Sequence, residues 1–179
     1  MQFIELEERD FPLMCAEWKN MLPKKDHAVY AAEYEQLFAR IKAGKCWGPL
    51  GNRANETVFY AVKDKASTEA VVEMVQTKKG QETWIKMFDI MMSPKIEAGT
   101  DTEKSTKLRL DVFKATITGI FKLSERVRNA NTFKVYGRTE LLVTFLRGMH
   151  DALSVFPTLG NIEGIQVSIE GRWLVFRAA

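Results

Sequence analysis

The chain has 179 residues, of which 46% are hydrophobic and 27% are charged, and its formal net charge is +3. These values fit one globular domain, predicted over residues 1–179, that buries roughly 70% of its extended surface. They do not fit the dense basic stripe of a dedicated nucleic-acid binder, so nucleic acid is not an expected partner.

The cysteines and histidines are too few to build a disulfide scaffold or a metal site. Cys15 and Cys46 are the only cysteines, so a reducing compartment is expected. His27 and His150 have no second ligand type at metal spacing, which argues against zinc. The N-terminus lacks the apolar core of a signal peptide, and no apolar run approaches a membrane span in length. We therefore expect a protein that works in a cytoplasm or is made in one.

The first third of the chain predicts one short strand and two helices. Residues 3–7 alternate between apolar and polar side chains, as a strand does. Asp10-Phe11-Pro12 supplies a capping residue and a first-turn proline for a helix. A second helix is predicted from residue 27 to residue 43, with Gly44 placed to end it. Residues 45–56 are rich in Gly, Pro and Asn and predict a loop.

The middle of the chain predicts three strands and the start of a long helix. Residues 58–63, 69–77 and 83–92 are strands joined by short polar turns, which is the pattern of an antiparallel meander. The last strand is too apolar to have one face in water, so it belongs inside a sheet. Pro94 ends this strand, and a polar loop should follow. Thr100-Asp101-Thr102-Glu103 is a capping box that begins an amphipathic helix.

The last third predicts a strand, a helix and a hairpin. Residues 133–136 form the strand, which should run parallel to residues 83–92 because a strand, a helix and a strand favour a right-handed crossover. The helix covers about 139–153. Residues 165–169 and 172–176 alternate on either side of Glu170-Gly171, as in a hairpin.

This order of elements resembles the GNAT superfamily of N-acetyltransferases over nearly the whole chain. Residues 3–6 with 10–12 are similar to the family's first strand and helix, and Met91-Met92-Ser93-Pro94 is similar to the end of its fourth strand. Residues 140–149 are similar to its late helix. The resemblance implies a mixed α/β domain whose central, mostly antiparallel sheet is flanked by helices and splits between its fourth and fifth strands.

The family binds the pyrophosphate of an acyl-coenzyme A through a short sequence motif. The motif consists of Arg or Gln, two residues of any type, Gly, one residue of any type, and then Gly or Ala. The best match here is Ile96-Glu97-Ala98-Gly99-Thr100-Asp101, which keeps only Gly99. Ile96 stands at the arginine position, and Glu97 and Asp101 add negative charge that would repel a pyrophosphate. The resemblance places the contacts for acetyl-CoA at Met92, Lys95, Gly99, Lys104 and Lys107.

The resemblance also implies where catalysis would occur. Many members protonate the leaving thiolate with a tyrosine of the late helix, and Leu146 stands at that position here. Tyr136 is a substitute candidate, and Asp89 is the candidate general base. A structural interpretation stays open for both, with Asp89 as a paired carboxylate and Tyr136 as a core residue whose hydroxyl is satisfied.

Two functional hypotheses follow from these departures. The first is a non-catalytic GNAT-like module, without a cofactor, that binds a protein or an oligomeric assembly; a phage particle is one setting in which small GNAT-like proteins occur. The second is an active acyl-CoA-dependent N-acyltransferase with an unusual phosphate loop. For the first, Trp47 and Trp173 are candidate contacts, Trp173 on an end strand; the alternative for both is that they close the edge of the protein's own core.

The basic residues of the C-terminal half could form a solvated rim or a docking patch for an acidic partner or nucleic acid. They are Arg126, Arg128, Lys134, Arg138 and Arg147.

Overall fold

The computed structural model describes residues 1–22, 24, 27–44, 47–50, 55–98, 103–155 and 165–178. The helices are α1 Phe11–Asn20, α2 His27–Gly44, α3 Pro94–Glu97, α4 Glu103–Ser124 and α5 Glu140–Val155. The strands are β1 Gln2–Glu5, β2 Thr57–Asp64, β3 Ser67–Lys79, β4 Glu82–Met92, β5 Ala130–Tyr136, β6 Ile165–Glu170 and β7 Trp173–Ala178.

The chain divides into two compact units. The first unit consists of Met1–Pro49, Thr57–Val72 and Ile90–Gly119. The second unit consists of Leu50–Glu56, Glu73–Asp89 and Ile120–Ala179. The single domain over residues 1–179 stays a prediction.

The strands are ordered β1-β2-β3-β4-β5-β7-β6 in one seven-stranded sheet. The turns from β2 to β3 and from β3 to β4 contain only Lys65-Ala66 and Gly80-Gln81, which is too short for anything but an antiparallel connection. The N–H of Ser93, just after β4, donates to the carbonyl of Glu69 near the start of β3 at 2.8 Å, as antiparallel strands require. The predicted meander is therefore confirmed.

The predicted parallel crossover is also confirmed. β5 pairs with β4 in parallel, from Thr83 opposite Ala130 to Met87 opposite Val135. With one parallel pair in an otherwise antiparallel sheet, the predicted mixed α/β class is confirmed.

The predicted hairpin forms, but its second strand does not lie at the edge. β7 pairs with β6 on one side and with β5 on the other, and Trp173 is opposite both Tyr136 and Glu170. The expectation that Trp173 lies on an end strand is wrong. The turn at Gly171, whose φ is +62°, folds the chain back so that β7 fills the place beside β5 and β6 becomes the edge.

An aromatic cluster forms the core of the first unit. Trp18 of α1 is fully buried, and its indole N–H donates to the carbonyl of Thr68 at 2.8 Å. Its ring packs edge-on against Tyr34 of α2, with the ring centroids 5.4 Å apart. Asp10 precedes α1 as predicted but makes no side-chain cap, because its carboxylate binds the ammonium of Lys63 at 2.7 Å.

The polar loop predicted after Pro94 begins instead as the short helix α3. Proline at the first helical position already has a helical φ, so it starts the turn that ended the strand. Ile96 is 1% exposed and fixes the turn to the core of the first unit. The predicted capping residues 100–102 lie outside the described residues.

Three phenylalanines organise the core of the second unit. Phe133 of β5 stacks on Phe176 of β7 at 5.3 Å, and Phe121 of α4 packs edge-on against both. Among the described residues, no helix is both long and apolar enough to cross a membrane.

We predict that Gly119→Ala will lower the free energy of unfolding by about 1–3 kcal/mol, because an added Cβ would overlap the side chain of Phe3. Phe3 stacks on Tyr60 at 4.7 Å and has little room to move. Gly148→Ala is the matched control: it is also helical, its Cβ would meet nothing within 4 Å, and the change should add up to about 1 kcal/mol. Urea denaturation measures both, and equal effects would contradict this packing.

Candidate functional site

The end of β4, where the sequence predicts cofactor contacts, is tied to α2. The hydroxyl of Tyr34 donates to the backbone carbonyl of Met92 at 2.9 Å. Tyr34 is almost fully buried, and burial, followed by the nearby charge of Glu97, raises the pKa of its hydroxyl above the ordinary value. The Tyr34 hydroxyl therefore stays protonated and continues to donate this hydrogen bond. One lone pair of the Met92 carbonyl oxygen is occupied by it.

Lys95, the second predicted contact, is held by a buried carboxylate. The Glu69 side chain is 2% exposed, and its Oε1 lies 3.2 Å from the Lys95 ammonium. Its other oxygen lies 3.5 Å from the hydroxyl of Ser93. A buried carboxylate that loses its cation is strongly destabilising. Lys95 therefore serves first to neutralise Glu69.

Three backbone N–H groups of the short turn after β4 are already used inside the turn. Those of Ile96 and Glu97 donate to the carbonyl of Ser93 at 2.9 and 3.0 Å, and that of Ala98 donates to the carbonyl of Pro94 at 2.9 Å. This closed segment, residues 93–98, is called the 93–98 turn below.

Two backbone carbonyls of the 93–98 turn also have hydrogen-bond partners. The guanidinium of Arg109 donates to the carbonyls of Ile96 and Glu97 at 3.3 and 3.4 Å. Sequence reasoning missed Arg109, although its cationic side chain two turns into α4 can reach back to the residues before the helix. The predicted contact Gly99 lies outside the described residues.

Lys104 and Lys107 lie at the beginning of α4 and are exposed. They are three residues apart and therefore share one side of the helix. Neither forms an ion pair with another residue of the described ranges. Of the predicted cofactor contacts, these two are the most available to an anion.

The two predicted catalytic groups, Asp89 and Tyr136, belong to the second unit but do not share a face of the sheet. Asp89 is 15% exposed and forms an ion pair with Arg138. The ring of Tyr136 lies 6.3 Å from that of Phe88, which precedes Asp89 on β4. Because successive side chains of a strand point to opposite faces, Asp89 points away from the face that Tyr136 shares with Phe88.

Tyr136 is part of an aromatic cluster with Phe88 and Trp173. Its ring centroid lies 4.8 Å from that of Trp173, which in turn packs edge-on against Phe88 at 5.4 Å. Leu146, at the position of the family's tyrosine, is 2% exposed and belongs to the core. The hydroxyl that the resemblance expects on the late helix has no counterpart at this position.

The structure also describes the position of Trp47 and the side chains that could bind a metal. The ring of Trp47 lies 5.6 Å from Phe11 and is half-buried, so it covers part of α1. Its role as an interface residue stays a prediction. Among the described residues, no group of His, Cys, Asp and Glu could hold a metal ion.

The structure also assembles a cluster that sequence reasoning missed. Three ammonium groups lie near the ring of Trp84: Lys134 at 4.2 Å, Lys79 at 4.6 Å and Lys86 at 5.5 Å from its centroid. Lys134 is 7% exposed, so its assignment to a solvated rim is wrong. The alternation across the hairpin of residues 79–86 could have indicated two of the lysines. Only the pairing with β5 adds the third.

Neither a protein-family model nor a curated protein matches the sequence. The chain is similar to solved structures of GNAT-family acetyltransferases. One is a GNAT family acetyltransferase from Brucella melitensis in complex with acetyl-CoA, with 9% identity, coverage of 99% of this chain and 88% of that one, and a TM-score of 0.44. Another is the aminoglycoside 6′-N-acetyltransferase from Enterococcus faecium, with 11% identity, coverage of 98% and 95%, and a TM-score of 0.44.

A third similar structure is a GNAT-like decarboxylase in complex with isobutyryl-CoA, with 8% identity, coverage of 100% and 99%, and a TM-score of 0.39. The first of these proteins is named as a GNAT-family member and the third as GNAT-like. At this level of identity they assign no role to any residue of this chain.

We predict that Tyr34→Phe will lower the free energy of unfolding by about 1–2 kcal/mol, because the Met92 carbonyl loses its donor. The pKa of Tyr34 is raised, so this contribution should be complete below the ordinary tyrosine pKa of about 10 and should fall only at higher pH. Tyr30→Phe, the same change on α2, should stay within about 0.5 kcal/mol of wild type. Denaturation at pH 7 and pH 9 measures both variants; a Tyr34→Phe effect no larger than the control would contradict the role of this hydrogen bond.

Proposed function

We propose that this chain is a GNAT-fold protein that does not transfer acyl groups from coenzyme A and acts by binding a partner. The observation that carries this proposal is the 93–98 turn, in which the N–H groups of Ile96, Glu97 and Ala98 are all used internally.

A pyrophosphate needs free backbone N–H groups and close approach at a helix N-terminus. The 93–98 turn fits this need poorly, because the N–H groups of Ile96, Glu97 and Ala98 are bonded inside it. The side chain of Ile96 is buried in the core, whereas an arginine at this position would have to point outward to reach a phosphate. Glu97 and the sequence neighbour Asp101 add carboxylates that would repel the ligand. The residues present therefore do not fit the coenzyme pyrophosphate, and no catalytic step is derived from it.

The catalytic groups support the same proposal. General acid–base catalysis needs an acid and a base that reach the same reacting group. Leu146 cannot donate a proton, and Asp89 is paired with Arg138 on the face opposite to Tyr136. This arrangement favours structural roles for Asp89 and Tyr136.

The alternative is an acyl-CoA-dependent N-acyltransferase, and one observation favours it. Lys104 and Lys107 are exposed near the N-terminus of a helix of 22 residues, where an anion is stabilised. Two of the similar structures are complexes with acetyl-CoA and isobutyryl-CoA, so coenzyme A is the ligand to test.

A protein or an oligomeric assembly, with a phage particle as one setting, is the partner proposed for the first unit. Leu13 of α1 and Val29 of α2 are 72% and 63% exposed. They are the positions at which to test for an apolar contact surface, because only a contiguous apolar patch would indicate a protein partner. Loss of co-purifying protein on Leu13→Ser or Val29→Ser, with an unchanged melting temperature, would support this role.

We predict that isothermal titration of wild type with acetyl-CoA will show no binding in the micromolar range. Amines offered with acetyl-CoA should not be acylated above the uncatalysed rate. Micromolar binding that is lost in Lys104→Ala or Lys107→Ala would overturn the proposal and establish the alternative. Acylation of an amine that is abolished by Asp89→Asn or Tyr136→Phe would do the same.

We predict that Ile96→Arg, which restores the family's residue, will not create coenzyme binding and will lower the free energy of unfolding by about 3 kcal/mol or more. The reason is that an unpaired charge would enter the core in place of a fully buried side chain. Ile96→Val is the control and should cost about 0.5–1.5 kcal/mol. Calorimetric binding of acetyl-CoA by Ile96→Arg at wild-type stability would show that the turn can act as a phosphate loop.

A further inference from the structure

The second unit gathers positive charge around Trp84 on one face of its strands. The ammonium groups of Lys79, Lys86 and Lys134 come from three neighbouring strands and lie within 5.5 Å of the same ring centroid. An aromatic ring attracts cations through its quadrupole, and it can therefore hold ammonium groups near one another that would otherwise separate. Trp84 thus organises a compact cationic cluster, called the Trp84 cluster below.

The carboxylates nearby neutralise only part of this charge. Glu170 binds Lys134 at 2.8 Å and also Arg177 at 2.5 Å. The hydrogen bonds from these two cations hold the pKa of Glu170 below its ordinary value, so it stays charged. One carboxylate therefore serves two cations. Glu82 accepts a hydrogen bond from the indole N–H of Trp84 at 3.0 Å and keeps its negative charge beside the cluster. The three lysines and Arg177 therefore carry four positive charges against the two negative charges of Glu82 and Glu170.

Lys79 and Lys86 have no carboxylate within ion-pair distance among the described residues. Burial and the charge of Lys134 lower the pKa of Lys86, which is the expected effect of cations held close together. Lys79 is exposed, and Lys86 and Trp84 are half-buried, so the cluster can be reached from outside. An anion placed here would relieve the repulsion.

Aromatic rings lie next to the cluster on the same face. Lys86 is opposite Lys134 in the ladder between β4 and β5. The next side chains on that face of the two strands are Phe88 and Tyr136, and Trp173 is opposite Tyr136 on β7. The step from the lysines to the rings is two residues, roughly 7 Å along the strands. All three rings are half-buried and so partly accessible.

We propose that this face of the second unit binds single-stranded nucleic acid, with backbone phosphates at the Trp84 cluster and bases against Phe88, Tyr136 and Trp173. Grooves that bind single strands without sequence preference combine cations for the backbone with aromatic rings for the bases. An acidic polypeptide would match the lysines but would leave the aromatic row without a stacking partner. Nucleic acid is the occupant that uses both features.

The inference adds nucleic acid, bound by the second unit, to the protein partner proposed for the first unit. It rests on the proposal that the chain acts by binding, yet the two can fail separately. Titration with acetyl-CoA tests the absence of coenzyme chemistry. Titration with an oligonucleotide tests the face of the second unit around the Trp84 cluster. The residues of this face differ from Lys104 and Lys107, on which the coenzyme test depends.

The test is fluorescence anisotropy of a labelled oligo-dT with the full chain over a range of salt concentrations. The double variant Lys79→Gln/Lys86→Gln removes the two cations that lack carboxylate partners. It should lose about tenfold in affinity, and the slope of log K against log salt should fall in magnitude by about 1.4 for two lost phosphate contacts on a single strand. Its melting temperature should change little, because neither lysine forms an ion pair with a described residue, and the relief of repulsion among the ammonium groups offsets the lost contacts with the Trp84 ring.

The control is Lys114→Gln/Lys122→Gln, which makes the same change in net charge at two exposed positions of α4. It should keep both the affinity and the salt slope. Equal losses in the two double variants would overturn the proposal, because the binding would then follow net charge alone. Absence of oligo-dT binding by wild type at low salt would also overturn it.

A competition experiment distinguishes nucleic acid from other polyanions as the ligand of this face. Unlabelled oligo-dT should displace the probe at lower concentration than polyphosphate with the same number of phosphates, since only the oligonucleotide offers bases. Equal displacement by polyphosphate would overturn the assignment to nucleic acid. Displacement by poly-glutamate at least as effective as by oligo-dT would assign the face to an acidic polypeptide instead.

Discussion

The closure of the 93–98 turn is the constraint on which the first unit's chemistry depends. β4 ends at Met92, and the N–H of Ser93 just after it is bonded to the carbonyl of Glu69. The N–H groups of residues 96–98 fold back onto the carbonyls of Ser93 and Pro94. A backbone donor can serve an external anion only if it is not already paired. Because Ile96 anchors this turn in the core, opening it for a ligand would expose a fully buried side chain as well as break its hydrogen bonds.

The contacts around this turn reinforce its closure from three sides. Tyr34 holds the Met92 carbonyl, Glu69 holds Lys95, and Arg109 holds the carbonyls of residues 96 and 97. Each contact uses a group that would otherwise be available for a ligand. The region thus has the strand and helix of an anion site, while most of its described polar groups are engaged within the protein.

The second unit differs in that part of its charge is not balanced locally. Three ammonium groups gather at Trp84 because β3, β4 and β5 are neighbours, and Glu170 is divided between Lys134 and Arg177. The weak net charge of the chain gives no sign of this, since charge density depends on which residues the sheet brings together. A small positive total can therefore coexist with a strongly positive patch.

Apart from the short helix α3, the sequence by itself determined the strand and helix order, the meander and the parallel crossover. These depend on local features: alternation along β3, the short turns at residues 65–66 and 80–81, and the proline after β4. The resemblance also predicts that Ile96 stands where the family has its phosphate-binding arginine. Only the tertiary structure decided that Ile96 is core, that Asp89 pairs with Arg138, that β7 lies inside the sheet, and that three lysines meet at Trp84. The physical reason is that the spacing of apolar residues shows only which side of a single helix or strand is buried. Strand pairing, the burial of a particular side chain and the local charge depend on residues that are distant in the chain.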